Sequence, residues 1–209
     1  MREDLVTLWY MTCRFIVFIV LKILLRFEVC GRGHIPASGG VILAANHISN
    51  LDPPLLGLGC QRHVRFLAKS ELFNVPVLGW LLQSFGCIPV RRGRINKETF
   101  RSALDALTQG EVVAVFPQGT RSAGTQKRAP LGGVGYLAVK SRARVVPVYI
   151  QGTERALPKG ARFIRPYKVR ITFGEPLEFS QVAFVGQDEV QYKEISRVVM
   201  DNVDALAHT

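Results

Sequence analysis

Two kinds of apolar pattern alternate along the chain. Segments 41–46 (VILAAN), 64–68 (VRFLA), 111–116 (EVVAVF), 145–150 (VVPVYI) and 168–173 (KVRITF) are short apolar runs, mostly rich in β-branched residues, and predict strands. Between them the apolar spacing lengthens. In 96–110 (NKETFRSALDALTQG), Phe100, Ala103, Leu104 and Leu107 recur at i, i+3, i+4 and i+7, and Gly110 follows as a stop, which predicts a helix. Residues 132–142, rich in Gly and Ala, read as a second helix. Residues 189–206, with Val190, Ile195, Val198, Val199 and Leu206, read as a terminal one. This alternation predicts an α/β fold, a mostly parallel sheet flanked by helices, with ligands collecting where strands end in loops. No repeat, low-complexity tract or interdomain linker interrupts the pattern.

Residues 1–30 are patterned differently. Arg14, Lys22 and Arg26 break the apolar text, so no charge-free stretch reaches the ~20 residues of a membrane span, and no clear small-residue cleavage site marks a signal peptide. Wound at about 100° per residue, Asp4, Thr7, Arg14, Lys22 and Arg26 gather on about a third of the circumference. Trp9, Phe15, Ile16, Phe18, Ile19, Leu21, Ile23 and Leu25 cover most of the rest. Such a helix suits the headgroup boundary of a bilayer, its basic strip toward anionic lipid. The plainer alternative is a helix packed on the core. The expectation is an N-terminal amphipathic membrane-anchoring helix over 1–30, then the loop text GRGHIPASGG, within one further domain over 31–209.

Composition narrows the partners. The chain has 209 residues, 48% of them hydrophobic, enough for one well-filled core. Lys and Arg number 27 against 16 Asp and Glu, a net charge of +11, which calls for an anionic partner such as nucleic acid, a lipid surface, an acidic protein or a phosphorylated substrate. Nucleic acid is set aside, because neither aromatics interleaved with cations nor a groove-reading helix is present. Cys13, Cys30, Cys60 and Cys87 have no CxxC spacing and read as reduced thiols, without disulfide or zinc site. His34, His63 and His208 read as loop or tail residues.

Candidate chemistry sits at the strand ends. His47 and Asp52 follow the run 41–46 at a five-residue spacing that would not share a helix face. Residues before proline avoid the helical region, so Asp52, ahead of Pro53–Pro54, is expected to be extended and folded back toward the imidazole. A carboxylate there would set the ring tautomer and stabilise the imidazolium, the base-plus-orienter half of a triad. An Asx turn at Asn50 or Asp52 beside a loop histidine is the alternative. FPQGTRS (116–122) follows a second strand, where Gly119 permits close backbone approach, Thr120 offers a hydroxyl and Arg121 a planar fork for phosphate. Lys69, Arg91 and Arg92 likewise follow strand-like runs. The two polar loops are expected to converge on one cleft.

The blocks NHISNLD, GCIPVRRG with Lys69 upstream, FPQGTRS and VVPVYI, in this order over roughly residues 30–180, resemble those of the 1-acylglycerol-3-phosphate acyltransferases, the lysophosphatidate acyltransferase family. The resemblance implies acyl transfer from acyl-carrier protein or acyl-CoA to the free hydroxyl of lysophosphatidate, giving phosphatidate. His47 would be general base and Asp52 its partner. Lys69, Arg92 and Arg121 would hold the acceptor phosphate, Gln118, Gly119 and Thr120 would line the pocket, and Pro147 would shape an acyl channel. Loop N–H groups near Gly119 would stabilise the oxyanion. It implies no metal and no cofactor beyond the acyl donor. It also implies work on lysophospholipid at a membrane surface, on the cytoplasmic face of the cell membrane. Position 118 departs from the family's usual glutamate, keeping an acceptor oxygen but losing the charge. Another lysolipid acceptor, or a thioesterase using the same pair, are the competing readings.

Overall fold

The computed structural model describes the chain except for residues 1–8, 10–11, 13–14, 16–18, 77, 91–96, 120–128, 180–188 and 209. One sheet organises it, built from β1 (Glu28–Cys30), β2 (Val41–Ala45), β3 (Val64–Lys69), β4 (Ile88–Val90), β5 (Val112–Val115), β6 (Arg144–Gln151) and β7 (Arg170–Phe173). The order across the sheet is β1-β7-β6-β2-β5-β3-β4. Only β6 and β7 run antiparallel; the other neighbours are parallel. The expected mostly parallel α/β sheet is therefore what forms.

The central strand explains the apolar text. All five residues of β2 are buried, as a parallel strand covered on both faces requires. Val41, Leu43 and Ala45 face a core shared with α1 (Asp52–Gly59) and with Leu21 and Leu25 of the N-terminal segment. Ile42 and Ala44 face the opposite core, filled by α3 (Lys97–Thr108), α4 (Gly133–Ser141) and α6 (Glu189–Ala205). Two further helices are α2 (Leu78–Ser84) and α5 (Thr153–Ala156). α4 and α6 touch backbone to backbone: a Cβ on Gly135 would lie 2.1 Å from the Tyr192 carbonyl oxygen. The Gly135 N–H donates to Ser196 Oγ across 3.0 Å at the same crossing.

Most predicted elements recur within a residue or two of their expected ends. Some of the departures have visible causes. β2 stops at Ala45 because the Asn46 side chain takes over the ladder, donating to the Ile150 carbonyl at 2.8 Å and accepting from its N–H at 2.7 Å. The strand expected over 168–173 begins at Arg170. β1 and β4, three residues each, are too short to show a period. The segment expected as helix up to residue 30 is helical over 19–24 and becomes strand at Glu28, in register with Arg170 of β7. Leu21 of that helix and Leu25 just after it are buried, whereas Ile19, Val20 and Ile23 are exposed, Ile23 by 76%. The core covers one narrow seam of it. Among the described residues, no helix is long and apolar enough to cross a membrane.

Candidate active site

Parallel pairing puts the carboxyl ends of β2, β3, β4, β5 and β6 along one edge. The Asn46 bonds fasten the exit of β2 to β6, so the chain leaves the sheet at a defined point and His47 follows directly. His47 Nδ1 lies 2.8 Å from Asp52 Oδ2. The same oxygen accepts the N–H groups of Ile48 and Ser49, each at 2.7 Å. Oδ1 accepts the Thr153 hydroxyl at 2.6 Å, and the Asp52 side chain is wholly buried. A carboxylate among these donors takes the imidazole as one more donor. In the neutral ring Nδ1 would then carry the proton and Nε2 the lone pair. Nε2 has no hydrogen bond among the described residues, and the His47 side chain keeps 18% of its exposure.

One expectation fails here. Asp52 is not extended but opens α1, with Leu51 before it already in the right-handed helical region. The steric preference of a residue before proline is outweighed by the four hydrogen bonds its carboxylate accepts. The Asp52 N–H also closes a turn onto the Ser49 carbonyl at 3.3 Å. Pro53 and Pro54 lie in the first turn, where their missing N–H groups have no helical partner to lose.

The second loop meets the first through a ring. Phe116, just past β5, stacks on the His47 imidazole with centroids 4.2 Å apart and planes 23° from parallel. The expected convergence of the two loops is this contact. Beyond Phe116, Gln118 is buried and Gly119 holds φ +69, a conformation that disfavours any residue with a Cβ. The Gly119 N–H donates to the Phe116 carbonyl at 2.9 Å. That N–H is thus engaged in the turn.

A family model described as Acyltransferase matches residues 26–151, more than half of the chain.

The chain belongs to the acyltransferase family.

The match starts just before β1 and ends with β6, so it contains the His47–Asp52 pair. Among similar proteins, the 1-acyl-sn-glycerol-3-phosphate acyltransferase of Bacillus subtilis is 28% identical over 182 residues, 86% of this chain and 88% of that one. The lyso-ornithine lipid O-acyltransferase of Pseudomonas aeruginosa is 32% identical over 135 residues, 64% of this chain but only 51% of its own length. The crystal structure of the 1-acyl-sn-glycerophosphate (LPA) acyltransferase from Thermotoga maritima superposes with a TM-score of 0.70 at 29% identity, covering 96% of this chain and 83% of that one. These relatives bear out the family resemblance drawn from the four motifs.

The remaining acyltransferase motif residues are placed unevenly. Lys69 ends β3 beside Val90, the last residue of β4, so its backbone lies on the active edge. Its side chain, and all of Arg91, Arg92, Thr120 and Arg121, lie outside the described residues. Pro147 is buried in mid-strand opposite Ala44, about 10 Å of strand short of the level of His47. Three contributors were not anticipated as site residues. Asn46 fastens the strand exit, Phe116 stacks on the His47 ring, and Thr153 completes the shell of Asp52. Thr153 follows Gly152 at the end of β6, and its position just past a predicted strand was the available signal.

Proposed function

We propose that this acyltransferase moves a fatty acyl group from a thioester donor, acyl-carrier protein or acyl-CoA, to the free hydroxyl of lysophosphatidate, giving phosphatidate. The relationship that carries the reading is the buried Asp52 carboxylate bonded to His47 Nδ1, which leaves Nε2 as the base. Nε2 takes the hydroxyl proton as the oxygen bonds to the thioester carbonyl carbon. The carbon–sulfur bond then breaks and the proton passes to the departing thiolate. Base catalysis of this kind contributes roughly 10²–10⁴-fold, and fixing the acceptor beside the base contributes much of the remainder.

In this reading Lys69, Arg92 and Arg121 grip the acceptor phosphate and Gln118, Gly119 and Thr120 line its pocket. The names of the Bacillus and Thermotoga relatives support lysophosphatidate as acceptor. The Pseudomonas relative's name makes a lyso-ornithine lipid the second candidate. Hydrolysis is disfavoured, since water needs no phosphate-gripping cations. The exposed apolar residues of the N-terminal helix support work at a lipid surface; the face proposed is the cytoplasmic one of the cell membrane.

Radiolabelled acyl transfer, run over both donors and a panel of lysolipids, tests this. Phosphatidate should form fastest from lysophosphatidate. His47→Ala should lose transfer while remaining folded. Normal turnover in that variant refutes the base assignment, and thioester loss without acceptor points to a hydrolase.

A further inference from the structure

The loop between α5 and β7, residues 157–169, belongs to none of the site described above. Its text is LPKGARFIRPYKV, and no acidic residue occurs from Arg155 to Gly174. Residues 162–168 are all exposed, and Phe163 is 83% exposed. A phenylalanine so uncovered, with Ile164 beside it and cations on both sides, has no counterpart in the chain's own core. The base of the loop is held. The Arg165 N–H donates to the Ala156 carbonyl at 2.7 Å. Arg155 Nη1 donates to the Tyr167 hydroxyl at 2.6 Å while its guanidinium lies 5.3 Å from the Tyr167 ring centroid. The tip is thus presented on a braced stem.

Its position follows from strand register. Gln151 of β6 pairs with Arg170 of β7, and Arg170 pairs with Glu28 of β1. β6 runs parallel to β2, so these residues lie at the edge where His47 leaves the sheet. The loop and the N-terminal helix both connect to the sheet at that edge. They are joined there, since the Val169 N–H donates to the Leu25 carbonyl at 2.9 Å. The helix with its exposed apolar residues and the loop that carries Phe163 are therefore both attached at the end of the sheet that carries the catalytic pair. Lys168 is paired with Glu28 at 2.7 Å. Lys159, Arg162 and Arg165 have no carboxylate partner among the described residues.

We propose that this loop is a second membrane-contact element: Phe163 and Ile164 enter the headgroup boundary of an anionic bilayer while Lys159, Arg162 and Arg165 bind lipid phosphates. With the N-terminal helix it forms a two-point contact that sets the tilt of the active edge against the bilayer. A single amphipathic helix leaves the molecule free to roll about the helix axis; a second anchor on the same edge removes that freedom. An acidic carrier protein would also meet the cations, but it offers no apolar phase for an exposed Phe–Ile pair. Interfacial binding uses both features together. The inference rests on the reading that this enzyme works on lipid at a membrane surface.

The experiment uses the full chain with vesicles of phosphatidylglycerol, and with phosphatidylcholine as the neutral control. Phe163→Trp, placed in a Trp9→Phe, Trp80→Phe background, should blue-shift on anionic vesicles and be quenched by brominated lipid. Replacing Lys159, Arg162 and Arg165 by Gln should lower vesicle partitioning about fivefold per cation, and less at high salt. Phe163→Ser with Ile164→Ser should lower it about tenfold, raise the KM for vesicle-borne acceptor, and leave turnover of a dispersed short-chain acceptor unchanged. An Ile19→Ser, Ile23→Ser chain serves as the reference for membrane binding as such. If that reference releases the protein while the indole signal of the Phe163→Trp chain stays silent, the loop proposal fails and the membrane reading stands. If the unmodified protein binds no vesicle, both fail. If the Gln variant binds vesicles normally but loses affinity only for acyl-carrier protein, the loop is a carrier-protein dock and the proposal is overturned.

Discussion

Thr153 donates its hydroxyl to Asp52 Oδ1 across 2.6 Å, although 101 positions separate the two residues. Both side chains are fully buried, so neither can turn to water for a replacement partner. Thr153 thereby acts as a positioning residue: it orients the carboxylate that orients the imidazole. Thr153→Val keeps the shape and removes the donor. We expect it to cost on the order of 1–3 kcal/mol of stability, since a buried carboxylate oxygen loses its partner. It should also lower kcat about tenfold, with little change in KM. Thr153→Ser should restore most of the rate. Steady-state kinetics beside urea unfolding checks this, and an unaltered kcat in a folded Val variant sinks the assignment.

Two glycines separate activity from stability. Gly119 sits at φ +69 in the loop against His47, and an added Cβ would lie 3.0 Å from Leu131 Cδ1, the movable end of a side chain. Gly119→Ala should cost about 1–2 kcal/mol of backbone strain and depress transfer by moving the loop. At Gly135 the added Cβ would lie 2.1 Å from backbone, the Tyr192 carbonyl oxygen, so α4 and α6 must part. Gly135→Ala should cost at least as much, on the order of 1–3 kcal/mol, while leaving KM near normal in the protein that remains folded. Thermal melts and kinetics on the two variants should show these opposite emphases.

The cysteines should alkylate in a fixed order. Burial pushes the Cys87 thiol up, only partly offset by a hydrogen bond from the Phe66 backbone. Less thiolate is present at a given pH, so the sulfur reacts more slowly. Cys30 is exposed and Cys60 is buried. In a Cys13→Ser background, iodoacetamide should label Cys30 first, Cys87 later and Cys60 only on unfolding. Mass spectrometry over a time course reads the order directly.

Glu28 ties β1 to β7 by charge. The Lys168 ammonium at 2.7 Å, helped by Arg170, holds the Glu28 carboxyl below its ordinary 4.5 against the opposing desolvation. A lowered folded value means that the pair stabilises the fold above 4.5 and that this contribution fades as pH falls through the lowered value. The group is exposed, so the effect is small and sensitive to salt. Urea midpoints of the parent and Glu28→Gln should differ at pH 7 and converge once the pH falls below the lowered value. A gap that persists in acid would mean that packing, not charge, separates them.

Local text settled the larger elements. The β-branched runs at β2, β5 and β6 and the i, i+3, i+4, i+7 pattern of α3 carry their own period, and a period survives any tertiary context that buries it. The His47–Asp52 spacing and the FPQG turn were legible for the same reason, since both ends of each motif lie within a few residues. β1 was not, and β4 showed only as a strand-like run ahead of Arg91, because three residues cannot display a repeat. Asp52 was misread as extended: the preference of a residue before proline is a local tendency, and the bonds that overrule it include one from Thr153. Sequence by itself therefore determined which segments are strand or helix and which residue types lead each strand exit. Tertiary structure alone decided that Phe116 would stack on His47, that Asn46 would fasten β2 to β6, and that Thr153 would close the shell around Asp52. Those contacts join residues tens to a hundred positions apart, and only the order and parallel register of the strands brings such residues to one edge.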